Sequence, residues 1–336
     1  LPRVTVILLS WNQARFCADG VAAIAAQRFR DFEVVAIDNG SVDGSAELIA
    51  ASAARLGLPV RQVVNAENLG ICAALNQGLA MVSDSDYVVP FAVDDVMLPS
   101  RLGLQVDFLD SISPDAAAVT GDALLIDEAG VPMRDGSGNE LIYRAKFSDD
   151  SAQQRLDLIN GLHPVAPAVM IRRDALIAIG GYDESAPFED VDCWLRLVFL
   201  QGMHLRRQPG VVVHYRRHES NASSPRNAAL LHRGIIHALT TIKSQAHLSG
   251  SEREAIERRL GTAGAALDRI ALADGLRSGG VARSVAAKVA RNSEQPTLAR
   301  LKACAAIPSP ALYRRAQRRV RVVRSVTSGA SRSVEE

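Results

Sequence analysis

Over residues 3–91 the chain alternates strand-length apolar runs with segments whose apolar positions recur at helical spacing, and this alternation constrains the fold most. Arg3–Leu9, Phe32–Asp38, Val60–Val64 and Tyr87–Phe91 read as strands; Ala14–Gln27, Ser45–Leu56 and Ile71–Val82 read as the helices between them. Repeated strand–helix–strand units predict an α/β fold with a Rossmann-like, mixed but mostly parallel sheet flanked by helices. In open sheets of this kind ligands sit beyond the carboxyl ends of the strands. Here those positions are Ser10-Trp11-Asn12, Asp38–Ser41, Asn65–Gly70 and Ala92–Asp95, all polar, tight or acidic apart from one aromatic.

From Pro99 to Tyr215 the order becomes mixed. A helix over Pro99–Ser111, strands near Ala117–Ile126, a Gly/Asp/Ser-rich loop at Asp135–Asn139 and a strand at Ala168–Ile171 are expected. A short helix, the loop Gly180–Phe188, a helix over Asp190–Gln201 and a strand at Val211–Tyr215 follow. Beyond Ser220 the strand pattern stops, and Arg226–Ser244, Ser251–Ala273, Val281–Arg291 and Ser309–Val323 carry helical spacing. One domain over 1–223, a helical C-terminal region over 224–324 and a disordered tail over 325–336 are the expected divisions.

Composition narrows the function classes. A formal net charge of +1 over 336 residues gives no reason to expect nucleic acid as a partner. Cys17, Cys72, Cys193 and Cys304 lie far apart, without the close pairing of zinc or redox sites, so a reducing, cytoplasmic setting is expected. No apolar run approaches the roughly 20 residues that cross a bilayer. The chain opens on a strand without a basic and apolar leader, and its first residue is Leu1, which leaves room for an upstream piece.

Three features carry chemistry. Asp94-Asp95 follows an apolar strand and precedes Pro99. Adjacent carboxylates repel, and a hard divalent cation such as Mg²⁺ or Mn²⁺ that also takes phosphate oxygens would relieve them. The competing reading is a helix cap beside a solvated Asp. Glu189-Asp190 opens a helix, where the dipole favours carboxylates, yet it follows the turn-rich Gly180-Gly181-Tyr182-Asp183-Glu184, which can present a carboxylate to a cleft. Trp11, directly after the first strand, can stack on a nucleobase or serve the core, and Asn12 can support the turn or a ribose hydroxyl.

In this order the motifs read Val-Ile-Leu-Leu-Ser-Trp-Asn (6–12), Asp-Asn-Gly-Ser-Val-Asp-Gly-Ser (38–45), Asn-Leu-Gly-Ile-Cys-Ala-Ala-Leu-Asn-Gln-Gly (68–78), Ala-Val-Asp-Asp (92–95), Gly-Gly-Tyr-Asp-Glu (180–184) and Glu-Asp (189–190). From about Val4 to Ser223 the chain resembles the family-2 glycosyltransferases of GT-A fold. The resemblance implies a nucleotide-sugar-binding half over 1–98 and an acceptor half over 99–223. It implies a donor site at Leu9, Trp11, Asn12, Asp38, Asn39, Asn68, Gly70, Asn76 and Asp94. It implies a divalent cation, Mn²⁺ or Mg²⁺, at Asp94 and Asp95, with His218 of Tyr215-Arg216-Arg217-His218 approaching the diphosphate or metal. Asp190 stands at the catalytic base, and Glu189 beside it is expected to raise its basicity.

Three departures qualify the match. Ala92 replaces the Asp that commonly opens the acidic motif, Asn39 replaces the second Asp after strand two, and Leu75 stands where a basic residue often precedes the Asn of the third motif. The Gln-x-x-Arg-Trp signature of processive members is absent, which argues for transfer of single sugars; in-line attack opposite the leaving group would invert the anomeric configuration, and a glycan, lipid-linked or small-molecule acceptor is expected. A role in bacterial cell-surface polysaccharide or glycoconjugate synthesis is implied.

Two further readings stay open. Ala92 and Leu75 suit a non-catalytic sugar-nucleotide or glycan-binding module on the same fold, whereas Glu189 and Asp190 speak against it. No glycine-rich phosphate loop follows the first strand, which disfavours a dehydrogenase or a nucleotidyltransferase. The basic stretch Tyr313–Arg324 suits peripheral contact with the inner face of an anionic membrane, or a solvated helix face.

Overall fold

A computed structural model describes residues 1–82, 84–278, 283–291 and 299. The basic stretch Tyr313–Arg324, the helix expected over Ser309–Val323, the tail and Cys304 lie outside the described residues. The chain divides into two compact units, Leu1–Ile256 and Glu257–Glu336.

In the first unit the elements run β1 (Val4–Ser10), α1 (Ala14–Ala25), β2 (Phe32–Asp38), α2 (Ser45–Leu56), β3 (Val60–Val64), α3 (Ile71–Ala80), β4 (Tyr87–Ala92), β5 (Val96–Met97) and α4 (Arg101–Ser111). Next come β6 (Ala116–Ile126), β7 (Ile142–Tyr143), α5 (Ser151–Ile159), β8 (Val169–Arg172), α6 (Arg173–Ala178), α7 (Asp190–Phe199), β9 (His204–Arg216) and α8 (Ala228–Gln245). The sheet order is β3-β2-β1-β4-β8-β6-β9-β5, with β7 on β6. The first four strands are parallel, β8 is antiparallel to β4 and β6, and β9 returns parallel to β6. This is the mixed sheet of a GT-A fold.

β1, β2 and β4 are buried on both faces, which is why they read as nearly continuous apolar runs. Register brings their carboxyl ends level: Ser10 lies opposite Asp38 and Leu9 opposite Ala92. Gly20, inside α1, fixes the height of the next turn. A Cβ there would stand 2.2 Å from the Val93 carbonyl oxygen, so only glycine lets α1 approach the backbone that carries Asp94 and Asp95. A mid-helix glycine costs about 1 kcal/mol against alanine, and this close approach is what it permits.

Some elements differ from expectation. β9 extends seven residues further toward its N-terminus than the apolar run Val211–Tyr215, because its early residues pair with β6 although Leu205 alone among them is a buried apolar side chain. α5 begins after Asp150, whose Oδ1 accepts from the Gln153 amide at 2.9 Å in an N-cap. Pro99 precedes α4 and its carbonyl accepts from the Arg28 amide at 2.8 Å.

α9 (Gly250–Ser278) spans the division between the units, and α10 (Arg283–Arg291) lies within the second. There Leu272, Ala286 and Val289 form a small buried cluster, and Lys288 pairs with Asp268 at 3.0 Å. No helix among the described residues is long and apolar enough to cross a membrane.

Candidate active site

The carboxyl ends of β1 and β2 are tied together by side chains. Asp38 is fully buried and accepts from Ser10 Oγ at 2.7 Å, from the Ser41 amide at 2.9 Å and from Ser41 Oγ at 2.7 Å. Asn12 takes a left-handed backbone at φ 52°, a conformation Asn tolerates by bonding locally. Its amide donates to Ser41 Oγ at 2.8 Å and its Oδ1 accepts from the Val42 amide at 2.9 Å. Trp11 beside it is 52% exposed, so it is available for stacking rather than spent in the core.

Asn39 is buried and fully committed. Its Nδ2 donates to Asn68 Oδ1 at 3.0 Å and to the Gly70 carbonyl at 3.2 Å, while its Oδ1 accepts from Asn65 Nδ2 and the Leu69 amide, both at 3.1 Å. Two donors and two acceptor sites are thereby used, which leaves no hydrogen-bonding capacity for a base. In this structure the Asn39 side chain clamps the 65–70 loop. A carboxylate here could not donate, so the Asn that departs from the family pattern is what the 65–70 loop requires.

Asn76 is likewise a clamp. Its Nδ2 donates to the Tyr182 carbonyl at 2.8 Å and to Glu184 Oε1 at 3.0 Å, and its Oδ1 accepts from the Tyr182 amide at 2.9 Å. Gly181, at φ 78°, must be glycine because a Cβ would lie 2.7 Å from Asn76 Oδ1. Of the donor-side set, Trp11, Asn68 and Gly70 remain exposed, and Leu9 is half-buried with its carbonyl accepting from the Val93 amide at 2.9 Å.

The acidic turn after β4 is closed by residues from the far end of the domain. Asp94 and Asp95 are both buried. His218 Nε2 lies 2.8 Å from Asp94 Oδ2, and Asn221 Nδ2 donates to the same oxygen at 3.3 Å. Asp94 Oδ1 is buried with no partner. The Arg216 amide donates to Asp95 Oδ1 at 2.9 Å, and its buried guanidinium donates to the Asp94 carbonyl at 2.8 Å and the Glu128 carbonyl at 2.9 Å. Phe16 packs beneath, 4.8 Å from the His218 ring centroid and 4.9 Å from the Arg216 guanidinium carbon. Burial, then Asp94, drives the Asp95 carboxyl well above the ordinary range, with the Arg216 amide opposing.

A divalent cation fits here. An orphaned buried carboxylate oxygen, a second carboxylate strained by the first and an imidazole form a donor set of oxygen and nitrogen suited to Mn²⁺. Among the described residues only Asp183, Asp192 and His237 bring one ligand atom each within 4.8 Å of one another. That trio is a clasp between the Gly180–Glu184 loop and α8. His237 Nε2 bonds Asp183 Oδ2 at 2.9 Å, and Arg196 Nε donates to Asp192 Oδ2 at 2.6 Å, which leaves Asp192 Oδ1 without a partner. The remaining Arg196 nitrogens hold the Ile179 and Gly181 carbonyls, so a fixed cation already neutralises Asp192.

Glu189 stands at the N-terminus of α7, half-buried, and Asp190 is the first helical residue, with Oδ1 accepting from the Val191 amide at 2.7 Å. Burial, then the Asp190 charge, pushes the Glu189 carboxyl up to about 8. A carboxyl raised this far favours its neutral form at neutral pH. Folding favours protonated Glu189, so its stabilising contribution is complete below the ordinary carboxylate range and is lost as pH rises through about 8. Glu189→Gln, which imitates the neutral acid, is expected to keep activity within about threefold at pH 7. In urea unfolding, the variant should lose less stability than the wild type between pH 7 and pH 9; parallel losses would assign the titration elsewhere.

The two halves of the site share a cation. Burial raises the Tyr143 hydroxyl pKa, Asp190 adds to it and Arg217 opposes. Burial also raises that of Tyr215, with Asp95 adding and Arg217, which donates to its oxygen at 3.1 Å, opposing. Sequence reasoning missed Arg216, Asn221, Tyr143 and Arg217. The segment at 215–218 was the available signal for the first and last, and nothing local marks the others.

The mixed α/β sheet thus carries one acidic turn after β4 and one acidic helix start at α7. Residues 5–180 match the family described as Glycosyl transferase family 2, and the chain belongs to that family. It is 27% identical over 198 residues to "Putative glycosyltransferase EpsE" of Bacillus subtilis, covering 58% of this chain and 66% of that one. It is 25% identical over 224 residues to an uncharacterized glycosyltransferase of Rickettsia felis, covering 66% of this chain and 35% of the relative. The chain thus spans less than two thirds of the length of these relatives. The fold is similar to the mannosyltransferase PcManGT from Pyrobaculum calidifontis in complex with GDP-Man and Mn²⁺, with TM-score 0.57, 17% identity and coverage of 94% and 86%. It is also similar to S. aureus TarS 1-349 in complex with UDP-GlcNAc, with TM-score 0.58, 15% identity and coverage of 94% and 92%.

Proposed function

We propose that the chain transfers single sugars, with inversion, from a nucleoside-diphosphate sugar to an acceptor hydroxyl in the making of a bacterial cell-surface polysaccharide or glycoconjugate. The observation that carries the reading is the buried, unpartnered Asp94 Oδ1 beside Asp95 and His218, a place that asks for positive charge. Asp94, Asp95 and His218 would hold Mn²⁺ or Mg²⁺. That cation supplies Lewis-acid neutralisation of the departing diphosphate.

The other half is carried by Asp190. Its carboxylate takes the acceptor hydroxyl proton as the oxygen attacks the anomeric carbon. The new C–O bond forms as the bond to the β-phosphate oxygen breaks, and the electron pair leaves on the diphosphate. Attack opposite the leaving group inverts the anomeric centre. Protonated Glu189 concentrates the negative charge of the pair on Asp190. Trp11, exposed beside the strand ends, offers a face for the base. The two neighbours with bound sugar nucleotides support donors of this class.

Thermal shift with UDP-, GDP- and dTDP-sugars, with and without Mn²⁺, tests the reading. One nucleotide class is expected to raise the melting temperature, by about 2.7 kcal/mol of stabilisation at 100-fold excess over Kd. Omission of Mn²⁺ or Asp95→Ala should remove most of that stabilisation. Equal stabilisation with and without the ion would discard the cation, and no donor hydrolysis or transfer would leave only a binding module.

A further inference from the structure

An open cleft of about 380 Å³ is lined by Ile142, Tyr143, Arg144, Lys146, Gly161, Leu162 and His163. Its ionisable lining is basic, with three such side chains and no carboxylate. The whole chain carries a net charge of +1, so this concentration of one sign is local. Lys146 is exposed and has no hydrogen-bond or ion-pair partner among the described residues. Arg144 meets Asp122 only at 3.6 Å with more than half of its side chain in solvent, a contact of little strength. Arg207 of β9 donates to the Ala145 carbonyl at 3.0 Å and adds a further positive charge to the same segment.

Tyr143 connects the cleft with the chemistry. Its ring is 46% exposed, and its hydroxyl is acted on by Asp190 and by Arg217. An aromatic face beside exposed basic side chains suits a sugar ring that carries an oxyanion. The ring stacks, and ammonium or guanidinium donors take the anionic oxygens in charge-assisted hydrogen bonds. A neutral glycan would leave these cations solvated and gain nothing from them.

We propose that this cleft receives the acceptor, and that the acceptor bears a phosphate or carboxylate near the hydroxyl that is glycosylated. The inference rests on Asp190 acting as the base of the proposed transfer. Hydrogen bonds to charged partners at a part-solvated site correspond to about a tenfold preference over the neutral analogue.

The test titrates the full chain with three matched probes, glucose, glucose 6-phosphate and glucuronate, by calorimetry, with donor hydrolysis measured on the same preparation. At least one anionic sugar is expected to bind about tenfold tighter than glucose. Tighter binding of the phosphosugar assigns a phosphate, and of the uronate a carboxylate. Lys146→Glu should abolish the preference and Lys146→Arg should retain it, with melting temperatures unchanged because the side chain is exposed and unpaired. Equal binding of all three sugars, or a preference that survives Lys146→Glu, would overturn the assignment. Donor hydrolysis without an anion preference defeats the anionic acceptor alone. An anion preference without hydrolysis keeps the cleft and defeats the transfer reading.

Discussion

Asp190→Asn is expected to lower glycosyl transfer by about 10²–10⁴-fold, the usual contribution of a positioned general base. Asn has the same shape and can still accept from the Val191 amide, so α7 should start in the same place. What it cannot do is hold the acceptor proton. Calorimetry with the nucleoside diphosphate should give an affinity within about twofold of wild type, because the donor-side loops and the turn after β4 are untouched. Full turnover in the variant would remove Asp190 from the base role. Weakened nucleotide binding with unchanged turnover of bound donor would instead make it a donor contact.

Arg216→Met should be the most damaging change away from the reacting atoms. Arg216 is fully buried and donates to the Asp94 and Glu128 carbonyls, and its charge stands between Phe16 and the acidic turn. Removal takes the donor from the Asp94 and Glu128 carbonyls and weakens the positive field at the buried Asp95, where Arg101 remains, a loss of about 1–3 kcal/mol. The bond to Asp19 at 3.1 Å adds little, since Asp19 is largely exposed. Urea unfolding reads the stability loss, and Mn²⁺-dependent donor binding should fall with it. Lys in this position keeps the charge but lacks the planar fork, so Arg216→Lys should recover only part of both. A variant as stable as wild type with intact donor binding would show that the turn holds itself.

The parallel half of the sheet was legible because buried strands and amphipathic helices leave different periodicities, and the strand ends located the loops that matter. Which way each polar residue spends its hydrogen bonds was not legible. Asp38, Asn39 and Asn76 stand at positions where a donor could be met, yet their capacity goes to Ser10 and Ser41, to the 65–70 loop and to the Tyr182 backbone. A strand end tells where a side chain begins and not what its atoms touch. The like-charge effect expected within the pair is seen at Glu189, whose carboxyl burial and then the Asp190 charge push up to about 8. α5 carries its signal in the cap, Asp150-Ser151 followed by Gln153, rather than in a strong apolar periodicity. Arg216 and Asn221 meet the turn across more than a hundred residues, a separation no local pattern encodes.

That separation bears on how the molecule comes into being. The acidic turn leaves the ribosome early, whereas its companions Arg216, His218 and Asn221 emerge after nearly the whole sheet has been made. Domains form as units while synthesis proceeds from the N-terminus, so the first four strands can assemble with Asp94 and Asp95 still wet. Drying of the turn waits for the end of β9. A nascent chain halted near residue 200 would thus carry the ordered strand ends and an open, hydrated pair of carboxylates. Any release of a shortened product would yield an acidic turn left exposed to water.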